Sequence, residues 1–233
     1  MPGILIGGQN INNLRYADDT VLISNSEANL QIIVDTINKE IEKIGLSLNK
    51  KKTEVMVVSK KAEIPKCKIT LGKETLNQVD TFKYLGSLIT SDGKCEKDIK
   101  ARIAMARTAF TEMKNILTNK KLAFRTRLRT LNCYILPILT YGCESWNIAI
   151  AMEKRINAAE MWFLRRMLHI SYIDGVTNEE VLRKANTKRT LLTRIRGQQS
   201  RFFGHVMRRE HLEHLVTTGK LQGNRSRGRQ RKK

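Results

Sequence analysis

The sequence predicts an α+β fold, in which a short antiparallel sheet with one helix precedes an all-helical region and a basic tail. Three observations carry that prediction. Apolar residues alternate in short runs broken by turn residues before about residue 90. From residue 91 onward they recur instead at three and four residues, the period of a helix with one buried face. The charge divides at the same place: residues 1–90 hold 12 Lys/Arg against 10 Asp/Glu, and residues 91–233 hold 31 against 12.

The elements follow in order. Ile4 and Ile6 alternate ahead of Gly7-Gly8-Gln9-Asn10, which has turn chemistry, and Ile11 and Leu14 resume the strand character. Tyr16-Ala17-Asp18-Asp19 then sits before the apolar run Thr20-Val21-Leu22-Ile23, so the two aspartates are expected in a tight β-turn. On strand alternation, Tyr16 and Asp18 are expected on the same side. Ser24 to Gly45 reads as a helix, capped by Ser24 or Ser26, with Leu30, Ile33, Ile37, Ile41 and Ile44 inward. Strands are expected at Leu46–Asn49, Glu54–Val58, Lys68–Leu71 and Phe82–Ile89, the last turning around Gly86, and Ser91-Asp92-Gly93 is a turn.

Four apolar stripes follow. They are Ile99, Ile103, Ala106, Phe110, Met113 and Leu117; Phe124, Leu128, Leu131, Ile135 and Ile138, kinked at Pro137; Met152, Ile156, Ala159, Phe163 and Met167; and Leu191, Ile195, Gln198, Phe202 and Val206. Arg102, Arg107, Arg125, Arg127, Arg129, Arg165, Arg166, Arg194, Arg196 and Arg201 are expected on the outward faces, where they would meet phosphates. Lys220 to Lys233 carries seven Lys/Arg and no acid, and its glycines and polar residues cannot build a core.

Charge and composition narrow the partners. A net charge of +21 concentrated after residue 90 attracts polyanions, and nucleic acid is the polyanion it most often serves. No stretch approaches the roughly 18 apolar residues of a membrane span, and Met1–Gly8 is too short and uncharged for a secretion signal. Cys67, Cys95, Cys133 and Cys143 form no Cys-x-x-Cys pair, and His211 and His214 have no cysteine nearby, so no zinc site is expected. Trp146, Trp162, Phe202 and Phe203 could stack on bases or serve the core.

Adjacent carboxylates repel, and a hard divalent cation such as Mg²⁺ relieves that repulsion while keeping open positions for phosphate oxygens. Two such ions are the usual machinery of nucleotide transfer. The string Asn12-Asn13-Leu14-Arg15-Tyr16-Ala17-Asp18-Asp19-Thr20-Val21-Leu22-Ile23 closely resembles the active-site hairpin of non-LTR retrotransposon reverse transcriptases. Gly45-Leu46-Ser47-Leu48-Asn49 with Lys52-Thr53-Glu54 resembles that family's next palm motif, and Phe82-Lys83-Tyr84-Leu85-Gly86 its primer-grip hairpin. Arg201-Phe202-Phe203-Gly204-His205-Val206, followed by Arg225-Ser226-Arg227-Gly228-Arg229, is similar to its C-terminal region.

The resemblance implies a partial palm with primer-grip hairpin at 1–90, thumb-like helices at 91–150 and a basic helical region at 151–219, and composition makes 220–233 a disordered basic tail. The resemblance also implies RNA-directed DNA synthesis with Mg²⁺, on RNA and DNA held by sequence-nonspecific backbone contacts. Asp18 would ligate the metal, with Asp19 as supporting carboxylate. Tyr16 would lie near the nucleotide or primer end, and Phe82, Tyr84 and Gly86 would position the primer. Lys52 would assist the departing pyrophosphate, or is one more exposed lysine in a basic run. The family's palm also needs an aspartate on an earlier strand, and residues 1–15 contain none. The expectation is therefore weak Mg²⁺ binding and no polymerisation by this polypeptide alone, with a non-enzymatic nucleic-acid-binding protein as the alternative. The run from Arg225 to Lys233 reads as a nuclear import signal or as a solvated tail, and nuclear residence is expected.

Overall fold

The computed structural model describes residues 2–61, 63–209 and 211–218. The architecture is α+β. In chain order the elements are β1 (Ile4–Ile6), β2 (Gln9–Ile11), β3 (Asn13–Tyr16), β4 (Asp19–Leu22), α1 (Glu27–Lys43), β5 (Glu54–Val55), β6 (Thr70–Leu71), β7 (Glu74–Thr75), β8 (Asn77–Gln78), β9 (Thr81–Tyr84) and β10 (Ser87–Thr90). Then come α2 (Glu96–Glu112), α3 (Lys114–Leu117), α4 (Phe124–Thr130), α5 (Leu136–Leu139), α6 (Ile150–Leu168), α7 (Asn178–Lys184), α8 (Leu191–Met207) and α9 (Leu212–Thr217). The chain divides into two compact units, one from the described residues of Met1–Asp80 and Gly204–Lys233, the other Thr81–Phe203. The change of period at residue 91 and this division do not coincide: the hairpin β9–β10 falls in the second unit. The basic tail lies outside the described residues. Among those described, no helix is long and apolar enough to cross a membrane.

In the first unit the strands pair two at a time. β1 and β2 join through Gly7 and Gly8, at φ 58° and 83°, so the turn is the glycine pair alone and Gln9 and Asn10 already belong to β2. α1 starts where its cap dictates: Ser26 Oγ accepts the Asn29 amide at 3.3 Å, and Gly45 at φ 75° follows its end. Its Val34 packs with Val55, Ile69, Leu71 and Leu76 in a small core, whereas Ile44 is 70% exposed and falls off the expected face. Gln31 binds the peptide of Thr70 twice, accepting its N–H at 2.8 Å and donating to its carbonyl at 2.9 Å, so a helix side chain satisfies the free edge of β6. Leu46–Asn49 is not a strand, and the expected Glu54–Val58 strand is reduced to the two residues of β5, which pair parallel with β8.

The second unit is built on the predicted stripes. Ile99, Ile103, Ala106 and Phe110 of α2 meet Leu131, Ile135, Leu136 and Leu139, then Ile156, Ala159, Phe163 and Met167 of α6, and Leu191 and Ile195 of α8. The kink expected at Pro137 is a π-helical turn, Leu131–Ile135, between α4 and α5. Proline cannot donate to the preceding turn and its ring crowds it, so the chain widens there. α8 begins on Glu160 of α6, whose Oε1 accepts from the amides of Thr190 at 2.8 Å and Leu191 at 3.0 Å. A buried carboxylate thus caps the positive end of that helix.

Candidate catalytic hairpin and nucleic-acid surface

β3 and β4 form a hairpin with Asn13↔Leu22 and Tyr16↔Asp19 as its outermost pairs. Ala17 and Asp18 make the two-residue link, and Ile23 N donates to Asn12 O at 2.8 Å, extending the ladder past the strands. Two-residue links need positive φ because only that backbone twist matches the strands. Here Ala17 takes it, at φ 51°, a region that favours glycine. Strand alternation therefore does not relate Tyr16 to Asp18 as expected. β3 ends at Tyr16, Asp18 is in the turn, and the residue facing Tyr16 across the ladder is Asp19.

Tyr16 is 64% exposed, and Asp18 and Asp19 are exposed beside it. Among the described residues neither carboxylate has an ion-pair partner. They are hard oxygen donors open to solvent, the right chemistry for Mg²⁺. Among the described residues, however, no group of three or more His, Cys, Asp or Glu could hold a metal ion. Two carboxylates alone do not make a complete cradle for a pair of ions, so the described residues do not fit the group in full. Lys52 is exposed on a separate turn, where its amide donates to Asn49 O at 3.0 Å; among the described residues no contact joins it to the aspartates.

The hairpin β9–β10 pairs Tyr84↔Ser87 and Phe82↔Ile89 around Leu85 and Gly86, at φ 46° and 83°. A side chain at Gly86 would lie 3.3 Å from the Tyr141 ring. Two residues that sequence reasoning missed, Tyr141 and Asp98, hold this turn together with Arg102. Tyr141 donates its hydroxyl to Leu85 O at 2.8 Å. Asp98 accepts from the Leu88 amide at 2.9 Å and, through its other oxygen, from Trp146 Nε1 at 2.8 Å. Arg102, already named for another role, donates to Gly86 O and lies over the Tyr141 ring at 4.3 Å. The Asp98–Arg102 spacing of four residues on a helix was the available signal.

Of the ten arginines expected on outward faces, Arg102 and Arg127 are each only 7% exposed and do not belong there. Arg102 serves the hairpin. Arg127 donates to the carbonyls of Leu122, Leu117 and Met167, tying α4 to the ends of α3 and α6, and burial holds its pKa below the usual arginine value. Both satisfy carbonyls that helix and turn ends leave free. Arg165, half-buried, donates to Val176 O and Asn178 Oδ1. Arg107, Arg125, Arg129, Arg166, Arg194, Arg196 and Arg201 are exposed; Arg194 reaches Asn132 O, Arg196 pairs with Glu153 at 3.2 Å and Arg201 turns back to Gly197 O. Trp146 is buried, and Trp162 packs edge-on against Phe110 and Phe163, so both serve the core, whereas Phe202 and Phe203 are 46% and 52% exposed.

The stretch that carries the hairpin is also matched by known proteins. Residues 5–89 match the family described as reverse transcriptase (RNA-dependent DNA polymerase). A transposon-derived protein of Caenorhabditis elegans is 28% identical over 88% of this chain and 75% of its own length. The retrovirus-related Pol polyprotein from the type-2 retrotransposable element R2DM of Drosophila melanogaster is 23% identical over 72% of this chain. That from the type-1 retrotransposable element R2 of Nasonia vitripennis is 28% identical over 44% of it. The chain matches only 16% and 11% of the lengths of those two polyproteins.

Proposed function

We propose a role for this chain, a reverse transcriptase segment of the non-LTR retrotransposon family, in which Asp18 and Asp19 are one part of a divalent-metal centre and the basic helices hold nucleic acid by its backbone. The observation that carries the reading is the coincidence of the family match with an exposed Tyr16–Asp19 hairpin whose carboxylates face solvent. Asp18 and Asp19 would hold part of such a centre, and a divalent cation bound there would supply Lewis-acid chemistry toward phosphate oxygens. Asp18 and Asp19 contribute carboxylate oxygens to that centre, and Tyr16 contributes an exposed ring beside them. Phe82, Tyr84 and Gly86 place the primer strand, and Lys52 supplies positive charge toward the departing pyrophosphate.

With two carboxylates, the 233-residue chain assayed by itself does not extend a primer, but it binds RNA and DNA without sequence preference. Nuclear residence belongs to the same reading and rests on the basic run from Arg225 to Lys233. Primer extension on poly(rA)/oligo(dT) with Mg²⁺ tests the first part: incorporation that disappears in Asp18→Ala would show that the chain is an active polymerase and overturn the inactivity. Filter binding at two salt concentrations tests the second. Affinity should fall with salt at a log–log slope of about −0.9 per neutralised phosphate on duplex DNA. Weak binding even at low salt would remove the nucleic-acid reading altogether.

A further inference from the structure

Two guanidinium groups from different helices lie against the ring of Trp162 of α6. The Arg166 guanidinium carbon lies 4.3 Å from the indole centroid, and that of Arg107, on α2, lies 5.1 Å from it. The ring is fixed from behind, edge-on to Phe110 at 5.4 Å and to Phe163 at 5.3 Å. Both rings behind it are fully buried, so the clasp stands on a rigid part of the core. Those two cation–ring distances keep the charges within about 10 Å of each other, roughly one Debye length at 0.1 M salt, so they repel.

Among the described residues no carboxylate pairs with either arginine, although Arg102 and Arg196 each have an acid partner. The remaining exposed contacts of Arg194 and Arg201 go to protein carbonyls. Two converging cations, exposed, preorganised on an aromatic ring and lacking an anion, are complementary to two phosphates of a polyanionic strand. The ring's quadrupole steadies the guanidiniums without neutralising them.

We propose that Arg107 and Arg166, braced on Trp162, form a phosphate-docking clasp for a nucleic-acid backbone, read without regard to base. The proposal rests on the nucleic-acid reading above and narrows it: of the exposed arginines, this pair makes the defined two-phosphate contact.

The test is a salt titration of duplex DNA binding, by fluorescence anisotropy, with the full chain. The double variant Arg107→Gln/Arg166→Gln should lose about 10-fold in affinity at 0.1 M salt, and its log–log slope should be shallower by about 1.8, the value for two phosphates. Arg107→Lys/Arg166→Lys should keep the slope, because the charge remains, and this conservative pair guards against misfolding as the cause. Lys43→Gln, at a lysine of α1 paired with Glu40 and outside the basic helices, should leave the slope unchanged. DNA should also protect the emission of Trp162 from acrylamide, while Trp146, only 5% exposed, contributes little quenching in either state. If the wild-type chain binds with a steep slope and the Gln pair binds identically, the clasp is wrong and the broader reading stands. If the wild-type chain shows no salt-dependent binding, both fall.

Discussion

Trp146 gives its indole N–H to Asp98 at 2.8 Å, and both partners are buried. Through its other oxygen Asp98 also takes the Leu88 amide, and its partner one turn along α2, Arg102, reaches the carbonyl of Gly86. Arg102 Nε lies 4.0 Å from Asp98, near enough for charge attraction but too long for a hydrogen bond. One carboxylate therefore joins the β9–β10 turn to α2 and to the segment after α5. Asp98→Ala would strand two donors and leave a buried arginine without its counter-charge. We expect a loss of about 3–5 kcal/mol in urea unfolding. Tyr141→Phe removes one hydrogen bond at a half-exposed ring and should lose about 1 kcal/mol. Equal losses from the two substitutions would deny the central place of Asp98.

The turn of the candidate catalytic hairpin carries local strain. Ala17 at φ 51° is a non-glycine residue where glycine is at ease. Ala17→Gly relieves the conformation but frees the unfolded chain, so it should stabilise by no more than about 1 kcal/mol. Ala17→Val, β-branched at the same φ, should destabilise by about 1–3 kcal/mol. Thermal unfolding of the pair reads the difference; a valine variant as stable as the glycine one would show that the turn is not held in this conformation.

What the sequence made legible follows from where each signal lives. The period of α1, α2 and α6 is a local property, and so are Ser26 at the start of α1 and the turn around Asp18. The burial of Arg102 and Arg127 is not local. It arises because carbonyls at residues 86, 117, 122 and 167 come together in space, and a reading that assigns every charge to the solvent misplaces them. β7 and β8 are two residues each, too short to show any alternation. α7 was within reach: Thr177 and Glu180 spell a capping box between the third and fourth apolar stripes. Asp18 and Asp19 were found through motif and resemblance together, whereas Tyr141 and Trp146 acquire their roles only from contacts more than 45 residues apart in sequence.

The four cysteines should separate by reactivity. Burial pushes the Cys143 thiol up to about 12, so at pH 8 it remains a protonated thiol, close to Gln198 Oε1 at 3.2 Å. Burial also raises Cys67 and Cys95, whereas Cys133 is exposed. A disulfide reagent at pH 8 should therefore modify Cys133 first and reach Cys143 only when the chain unfolds. Mass mapping after brief labelling checks the order, and early modification of Cys143 would contradict its burial.

α7 should weaken in acid. The Thr177 amide donates to Glu180 Oε2 at 3.0 Å, and this hydrogen bond holds the Glu180 carboxyl below its ordinary value of 4.5, with smaller help from Arg183 and Lys184. Because the folded-state pKa is the depressed one, the ionised carboxylate favours the helix above the unfolded value, and that contribution disappears as pH falls through the folded value. The window thus opens just below pH 4.5 and extends downward. Glu180→Gln can still accept from the Thr177 amide, so it should retain the capping geometry while removing the pH dependence. Amide exchange across Val181–Lys184, followed from pH 6 downward, should quicken relative to the neighbouring helix α6 in the wild type and not in the glutamine variant. Identical behaviour in the two proteins would mean that the carboxylate's charge contributes nothing at that cap.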